Sequence, residues 1–160
     1  MGKLWMTIVK HLKKLNWLLW QRKIFFLEKR KNQKHNHLAL IATVILSCFI
    51  GTYLDFFFVQ KQMYHFPIRP FPTLFTMNIA FTCFLLPTFT VIFLYISTNL
   101  STLSRSLFIM FIGICASLSE RIAEHLGLFT HNENWHHSYS LFGYMLFFFL
   151  IWKCYQWLRE

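Results

Sequence analysis

The chain lacks the motifs by which many enzymes are recognised. No Gly-rich phosphate loop, nucleophile elbow or HExxH zinc motif occurs in its 160 residues. Its four cysteines show neither close pairing nor the spacing of zinc ligands, and they lie at Cys48, Cys83, Cys115 and Cys154. The sequence therefore predicts no disulfide framework, no enzyme and no cofactor.

Charged residues are scarce. They make up 14% of the chain against 56% for hydrophobic residues, the reverse of a disordered or ordinary soluble protein. Four apolar stretches of about 20 residues or a little more are each long enough to cross a hydrocarbon core of about 30 Å. They lie at residues 38–59, 72–97, 107–129 and 139–158. Because backbone groups in lipid must satisfy one another internally, we predict an all-α integral membrane four-helix bundle.

Acidic residues are rarer than basic ones, six against 16, and the net charge is +10. Residues 1–37 carry ten Lys or Arg and one acid, Glu28, which is +9 of that total. Basic segments next to spans stay in the cytoplasm, so the N-terminus is predicted inside. Four crossings return the C-terminus to the same side, which predicts a multi-pass cell-membrane protein with both termini cytoplasmic.

The basic N-terminal segment, residues 1–37, is predicted to form a unit separate from the transmembrane domain, residues 38–160. Its lysines interrupt any signal-peptide core. Plotted as a helix, its first 20 residues place leucines on one arc and lysines on the opposite one. A basic amphipathic helix of this kind lies on anionic inner-leaflet lipids. Beside a membrane bundle, lipid is a better explanation of the charge than nucleic acid, so no nucleic-acid partner is predicted.

Prolines punctuate the second apolar stretch. Pro67, Pro70 and Pro72 stiffen the loop before it, and Pro72 suits the first turn of a helix, where its missing N–H costs nothing. Pro87 lies inside the stretch and is expected to kink the helix and free a carbonyl near Cys83.

Ionisable residues within apolar spans are costly, and they define the candidate site. On span three, small and acidic residues share one arc that includes Gly113, Glu120, Glu124 and Gly127. Bulky residues on the opposite side are predicted to face lipid, namely Phe111, Leu118, Ile122, Leu126 and Phe129. All four helices offer polar groups to the outer half of the bundle. The candidate ligand-binding or buried ion-pair residues are Asp55, Arg69, Asn78, Glu120, Arg121, Glu124 and Tyr144.

These residues leave two interpretations open. In one, Asp55, Glu120 and Glu124 form a buried salt-bridge network with Arg121 or Arg69 that fixes helix register. In the other, they line a ligand or ion pocket open to the outside. No metal site is predicted, because the spacing of the weak candidates matches no strong zinc signature. Those candidates are His125, His131, His136 and His137.

Several segments together resemble a family of small multi-pass membrane proteins from Gram-positive spore-forming bacteria. They are residues 51–55 (GTYLD), residues 64–70 (YHFPIRP), Pro87, Glu120 with residues 124–128 (EHLGL), and Trp135 with Ser138. The resemblance covers the chain from about Leu38 to its end. It implies a plasma-membrane location and draws attention to Asp55, Arg69 and Glu120, but it brings no activity with it.

The leading functional hypothesis is a plasma-membrane protein that binds a small ligand or cation in the outer half of its bundle. One alternative is a structural or partner-binding subunit whose acidic stripe pairs with another membrane protein. A second is a small transporter or channel that works as a homo-oligomer, because one four-helix bundle leaves little room for a pathway.

The predicted orientation can be tested with single cysteines in a variant that lacks the native four. We expect Asn134→Cys to react with a membrane-impermeant thiol reagent in intact cells, because it lies in a predicted outer loop. Asn32→Cys and Glu160→Cys should react only after permeabilisation. Labelling of Asn32→Cys from outside would reverse the orientation.

Overall fold

The computed structural model describes residues 35–133 and 135–159. The predicted N-terminal interfacial helix therefore lies outside the described residues. Of the basic segment 1–37, only the last three positions are described. Those positions belong to a long helix, α1 (His35–Gln60).

Three further helices follow α1. They are α2 (Leu86–Thr98), preceded by a π-helical turn at Phe81–Leu85, then α3 (Thr102–His125) and α4 (His137–Arg159). Two short strands, β1 (Tyr64–His65) and β2 (Thr130–His131), lie in the long loops. Taking Phe81–Thr98 as one segment, four helices within the described residues are long and apolar enough to cross a membrane. The prediction of an all-α protein with four long apolar helices, consistent with a helical membrane bundle, is confirmed.

The helices expose large apolar side chains that a water-soluble protein would cover. Each helical segment carries a phenylalanine that is more than 60% exposed, at Phe49, Phe84, Phe111 and Phe142. Exposed rings on every helix are typical of a surface that contacts lipid. The chain is therefore a multi-pass membrane protein.

Small residues let α1 and α2 approach closely. Ser47 Oγ and Thr90 Oγ1 are 3.0 Å apart, and both side chains are fully buried. A Cβ at Gly51 would collide with the side chain of Leu86. Small residues of α1 thus pack against α2, and the hydroxyl contact satisfies both polar groups away from lipid.

All four helices contribute to the apolar core. The rings of Phe93 and Phe148 pack with centroids 4.8 Å apart. Arg105 closes the short α2–α3 connection, because its guanidinium stacks 3.9 Å from the Trp152 ring and Nε donates to the Ser97 carbonyl at 3.0 Å. The buried members of this core are Ala39, Phe93, Leu94, Ile109, Phe148, Ile151, Trp152 and Tyr155.

Span two begins later than the sequence predicted. The helix does not start at Pro72, since residues 72–74 form a turn and helical backbone begins at Ile79. Asn78 caps this later start, because its Oδ1 accepts a hydrogen bond at 3.3 Å from the Phe81 N–H, which also donates to the Asn78 carbonyl at 3.1 Å.

Pro87 acts through the turn before it. A proline ring clashes with the carbonyl four residues earlier, here that of Cys83. The chain widens into the π-helical turn, in which the Leu86 N–H donates to the Phe81 carbonyl five residues back. The distortion expected near Cys83 therefore takes the form of an inserted residue in the helix.

Span three ends earlier than predicted, at His125 rather than residue 129. Gly127 has a φ of +70°, and its N–H donates to the Glu124 carbonyl at 2.9 Å. The Leu128 N–H donates to the Ala123 carbonyl at 2.9 Å, which completes a Schellman motif. The chain reverses there, so the prediction that Phe129 faces lipid is wrong, and its side chain is only 6% exposed. The other four predicted lipid-facing residues are exposed, namely Phe111, Leu118, Ile122 and Leu126.

The reversed chain pairs with the loop after α1. Strands β1 and β2 are antiparallel, with Tyr64 opposite His131 and His65 opposite Thr130. Behind them lies an aromatic cluster of Tyr64, Phe129 and Trp135, in which the Tyr64 ring lies 5.1 Å from Phe129 and 5.3 Å from Trp135. We call this part of the molecule, residues 55–66, 120–133 and 135–144, the loop end.

Substitution of Gly127 tests the Schellman reversal. Gly127→Ala should destabilise the protein by about 1–2 kcal/mol, because a Cβ disfavours left-handed backbone even where space is open. The measurement is the melting temperature in detergent. Gly143→Ala is the matched control, since nothing lies within 4 Å of its Cβ and α4 is helical there, so it should not lower stability. Equal effects at the two glycines would contradict this explanation.

Candidate functional site

A single carboxylate, that of Glu120 on α3, collects four polar side chains at the loop end. Its Oε1 accepts a hydrogen bond from Ser140 Oγ at 2.6 Å and from Trp135 Nε1 at 3.3 Å. His137 Nδ1 lies 3.3 Å from the same oxygen, and the Tyr144 hydroxyl donates to Oε2 at 3.5 Å. The Glu120 side chain is only 9% exposed, so protein groups replace most of its hydration.

The sequence of α4 explains how three of these partners come together. His137, Ser140 and Tyr144 are separated by three and four residues, which places them on one face of a helix. Gly113 lets that helix approach α3, because a Cβ there would lie 2.6 Å from Met145 Cγ. The first two turns of α4 therefore face the acidic stripe of α3.

A second carboxylate lies one helical turn further along α3. Glu124 Oε1 is 2.6 Å from His131 Nδ1, and Glu124 Oε2 is 3.4 Å from His137 Nε2. The His137 ring thus lies between Glu120 and Glu124, with one nitrogen facing each. These groups are more accessible than Glu120, with exposed fractions of 31% for Glu124, 22% for His131 and 20% for His137.

The third acidic candidate, Asp55, lies near the end of α1. Its Oδ1 accepts a hydrogen bond from the Tyr64 hydroxyl at 2.7 Å. Burial, with the Asp55 carboxylate as a further cause, raises the pKa of Tyr64 far above its usual range, so the hydroxyl stays protonated and donates. Asp55 Oδ2 is buried and has no hydrogen-bond partner among the described residues.

The two candidate arginines lie apart from these acids. Arg69 holds its own loop together, donating to the Phe75 carbonyl at 2.8 Å and to the carbonyls of Phe66 and Pro72. Arg121 is exposed on α3. In the part of the chain that the structure describes, the basic side chains next to Glu120 and Glu124 are histidines, which are charged only when protonated. The pairing with arginine that the salt-bridge interpretation requires is not formed there.

The remaining candidates separate into two groups. Three of them contact the acidic side chains, namely Tyr144, His131 and His137. Asn78 instead caps the start of the second span. His125 is exposed at the end of α3, and His136 is exposed with its ring edge against Tyr139.

Sequence reasoning missed three contributors to the site, Tyr64, Trp135 and Ser140. Ser140 could have been found, because it lies four residues before Tyr144 on the same helical face. Gly127 after His125 was a second usable signal, since glycine beyond a basic residue commonly ends a helix. The position of Tyr64 opposite His131 depends on pairing between distant loops and leaves no local signal.

Comparison with protein-family models, curated proteins and solved structures gives no match. The chemistry of the site must therefore be inferred from its own side chains. One ligand atom from each of Glu124, His131 and His137 lies within 4.8 Å of the others, which is close enough for a single metal ion. Carboxylate oxygens and imidazole nitrogens are also acceptors for protons and for cationic ligands.

The role of Glu120 can be tested by removing its charge. Glu120→Gln should lower stability by about 1–3 kcal/mol, because a neutral amide replaces the charge-assisted hydrogen bonds that the carboxylate accepts from Ser140 and Trp135 with weaker ones. Arg121→Gln should have little effect alone and should not rescue Glu120→Gln, since Arg121 is exposed. Melting temperatures of the two singles and the double measure this, with the exposed Glu133→Gln as a matched control. If the double variant were more stable than Glu120→Gln, the result would instead support an ion pair between Glu120 and Arg121.

Proposed function

We propose that this multi-pass membrane protein binds a cation at the loop end of its bundle. The observation that carries the proposal is that acidic side chains gather there with histidines, and without a paired lysine or arginine in the described residues. The groups concerned are Asp55, Glu120, Glu124, His131 and His137.

The physical reason is charge balance in a poor solvent. Carboxylates in an apolar bundle are costly unless a positive charge compensates them. Glu120 and Glu124 lie one turn apart on α3, where like charges repel. Asp55 adds a buried oxygen without a hydrogen-bond partner in the described structure. A bound cation would supply the missing charge, and bound ions are commonly the largest local charges in such sites.

Exposure indicates how a cation would reach the site. Glu120 is buried at 9% exposure, whereas Glu124, His131 and His137 are between 20% and 31% exposed. The accessible groups thus form the entrance and the buried carboxylate forms the base. The basic N-terminal segment favours a cytoplasmic N-terminus, which would place the C-terminal end of α1, and with it the loop end, outside the cell.

Thermal unfolding of the purified full-length protein in detergent tests the proposal. The panel comprises Na⁺, K⁺, Mg²⁺, Ca²⁺, Mn²⁺, Zn²⁺ and tetramethylammonium. A cation present at 100 times its Kd stabilises the native state by about 2.7 kcal/mol, so at least one should raise the melting temperature by several degrees. Glu124→Gln should abolish that rise, and Glu133→Gln should preserve it. A panel in which no cation raises the melting temperature would refute cation binding.

A further inference from the structure

We infer that the loop end is a binding site for a divalent transition metal of the zinc type, with Glu124, His131 and His137 as its ligands. The inference rests on the proposed cation site and names the class of ion that it takes. Neither the spacing of these residues nor the family resemblance assigns a metal here.

The first argument is the separation of the donor atoms. A tetrahedral zinc ion with ligands at about 2.0–2.2 Å holds its donor atoms about 3.4 Å apart. His137 Nε2 lies 3.4 Å from Glu124 Oε2, and one atom from each of the three residues falls within 4.8 Å of the others. Small side-chain rotations therefore suffice to bring all three donors to one ion.

The second argument is the hydrogen bonding of His137. Its Nδ1 faces Glu120 Oε1, which also receives the donor-only Trp135 Nε1–H and is therefore an acceptor. Nδ1 consequently carries the proton, and in a neutral ring the Nε2 lone pair faces the Glu124 carboxylate. Two acceptors facing each other at 3.4 Å repel unless a cation lies between them. A carboxylate that fixes the far nitrogen of a histidine is the usual outer-shell arrangement of a metal ligand.

The third argument is the position of His131. Its Nδ1 is buried 2.6 Å from Glu124 Oε1, yet the two atoms are not aligned for a hydrogen bond. They lie closer than the roughly 3.4 Å between two zinc ligands, so binding one ion requires the His131 ring or the Glu124 carboxylate to turn until the donor atoms separate. The β1–β2 pairing fixes the His131 backbone opposite Tyr64, and its ring packs 5.0 Å from that of His137. The ligand from the loop is thus held in place by the fold.

The donor set determines the class of metal. Two imidazole nitrogens and one carboxylate suit zinc and its first-row neighbours, whereas Mg²⁺ and Ca²⁺ prefer all-oxygen sites. Three protein ligands leave a coordination position for water or a further ligand. The competing explanation is a doubly protonated His137 that bridges the two glutamates without any metal.

The test uses full-length protein, freed of any polyhistidine tag, in detergent after chelator treatment. Titration with Zn²⁺ in a calorimeter should give one ion per chain, and Co²⁺ should give visible absorption bands from nitrogen and oxygen coordination. Glu124→Gln, His131→Ala and His137→Ala should each weaken Zn²⁺ binding at least 100-fold. Glu120→Gln should weaken it about 10–100-fold through the orientation of His137.

His125→Ala and His136→Ala are the matched controls, because each removes a neighbouring histidine outside the ligand set. Both should bind Zn²⁺ as the unaltered protein does. Melting temperatures of the metal-free variants show whether each is folded. If a ligand variant does not fold, the Co²⁺ spectrum of the unaltered protein and the reversible loss of stability on chelation decide the matter.

Three outcomes would overturn the inference. Absence of both Zn²⁺ binding and a Co²⁺ spectrum in folded protein would favour the protonated His137 bridge. If His131→Ala bound Zn²⁺ with unchanged affinity, His131 would not be a metal ligand. Stabilisation by Na⁺, Ca²⁺ or an organic cation alone would refute the metal class and leave the proposed cation site standing.

Discussion

The buried carboxylate of Glu120 is the constraint around which the loop end is organised. Lipid and apolar side chains offer it no hydrogen bonds, so the protein must supply them. Ser140 and Tyr144 do so from α4, and Trp135 does so from the segment before it. Trp135 also belongs to the aromatic cluster with Tyr64 and Phe129, so its hydrogen bond to Glu120 connects that cluster to α3. The hydrogen bonds that Glu120 requires thereby fix both the packing of α3 against α4 and the position of the loop that carries Trp135.

The two ends of the bundle are stabilised differently. Around Phe93 and Ile151 the helices pack through apolar side chains, and Arg105 closes the connection beside them. At the loop end, the chain reversal at Gly127 returns β2 across the end of α3, where it pairs with β1. That reversal converts an exposed helix terminus into a covered polar site, because it carries His131 to Glu124.

Histidine in place of arginine changes what the acidic stripe can do. An arginine is permanently charged and would neutralise a carboxylate without leaving a binding function. A neutral imidazole presents a lone pair, so Glu124, His131 and His137 together form an electron-rich donor set. Glu120 then serves as an anchor for His137 as well as a structural acceptor. A cation site and a stable bundle are therefore compatible uses of the same acids.

The sequence by itself determined the membrane class, because helix length and apolar composition are local properties that lipid selects directly. It also singled out Asp55, Glu120 and Glu124, since ionisable groups are conspicuous in apolar spans. The ends of spans two and three depend on local interactions that apolar length alone does not reveal, since Asn78 caps one helix and Gly127 reverses the chain after the other. Tertiary structure decided the neighbours of those acids. Tyr64 and His131 are 67 positions apart in the chain, and only strand pairing brings them together, so no local pattern could reveal which groups surround the carboxylates.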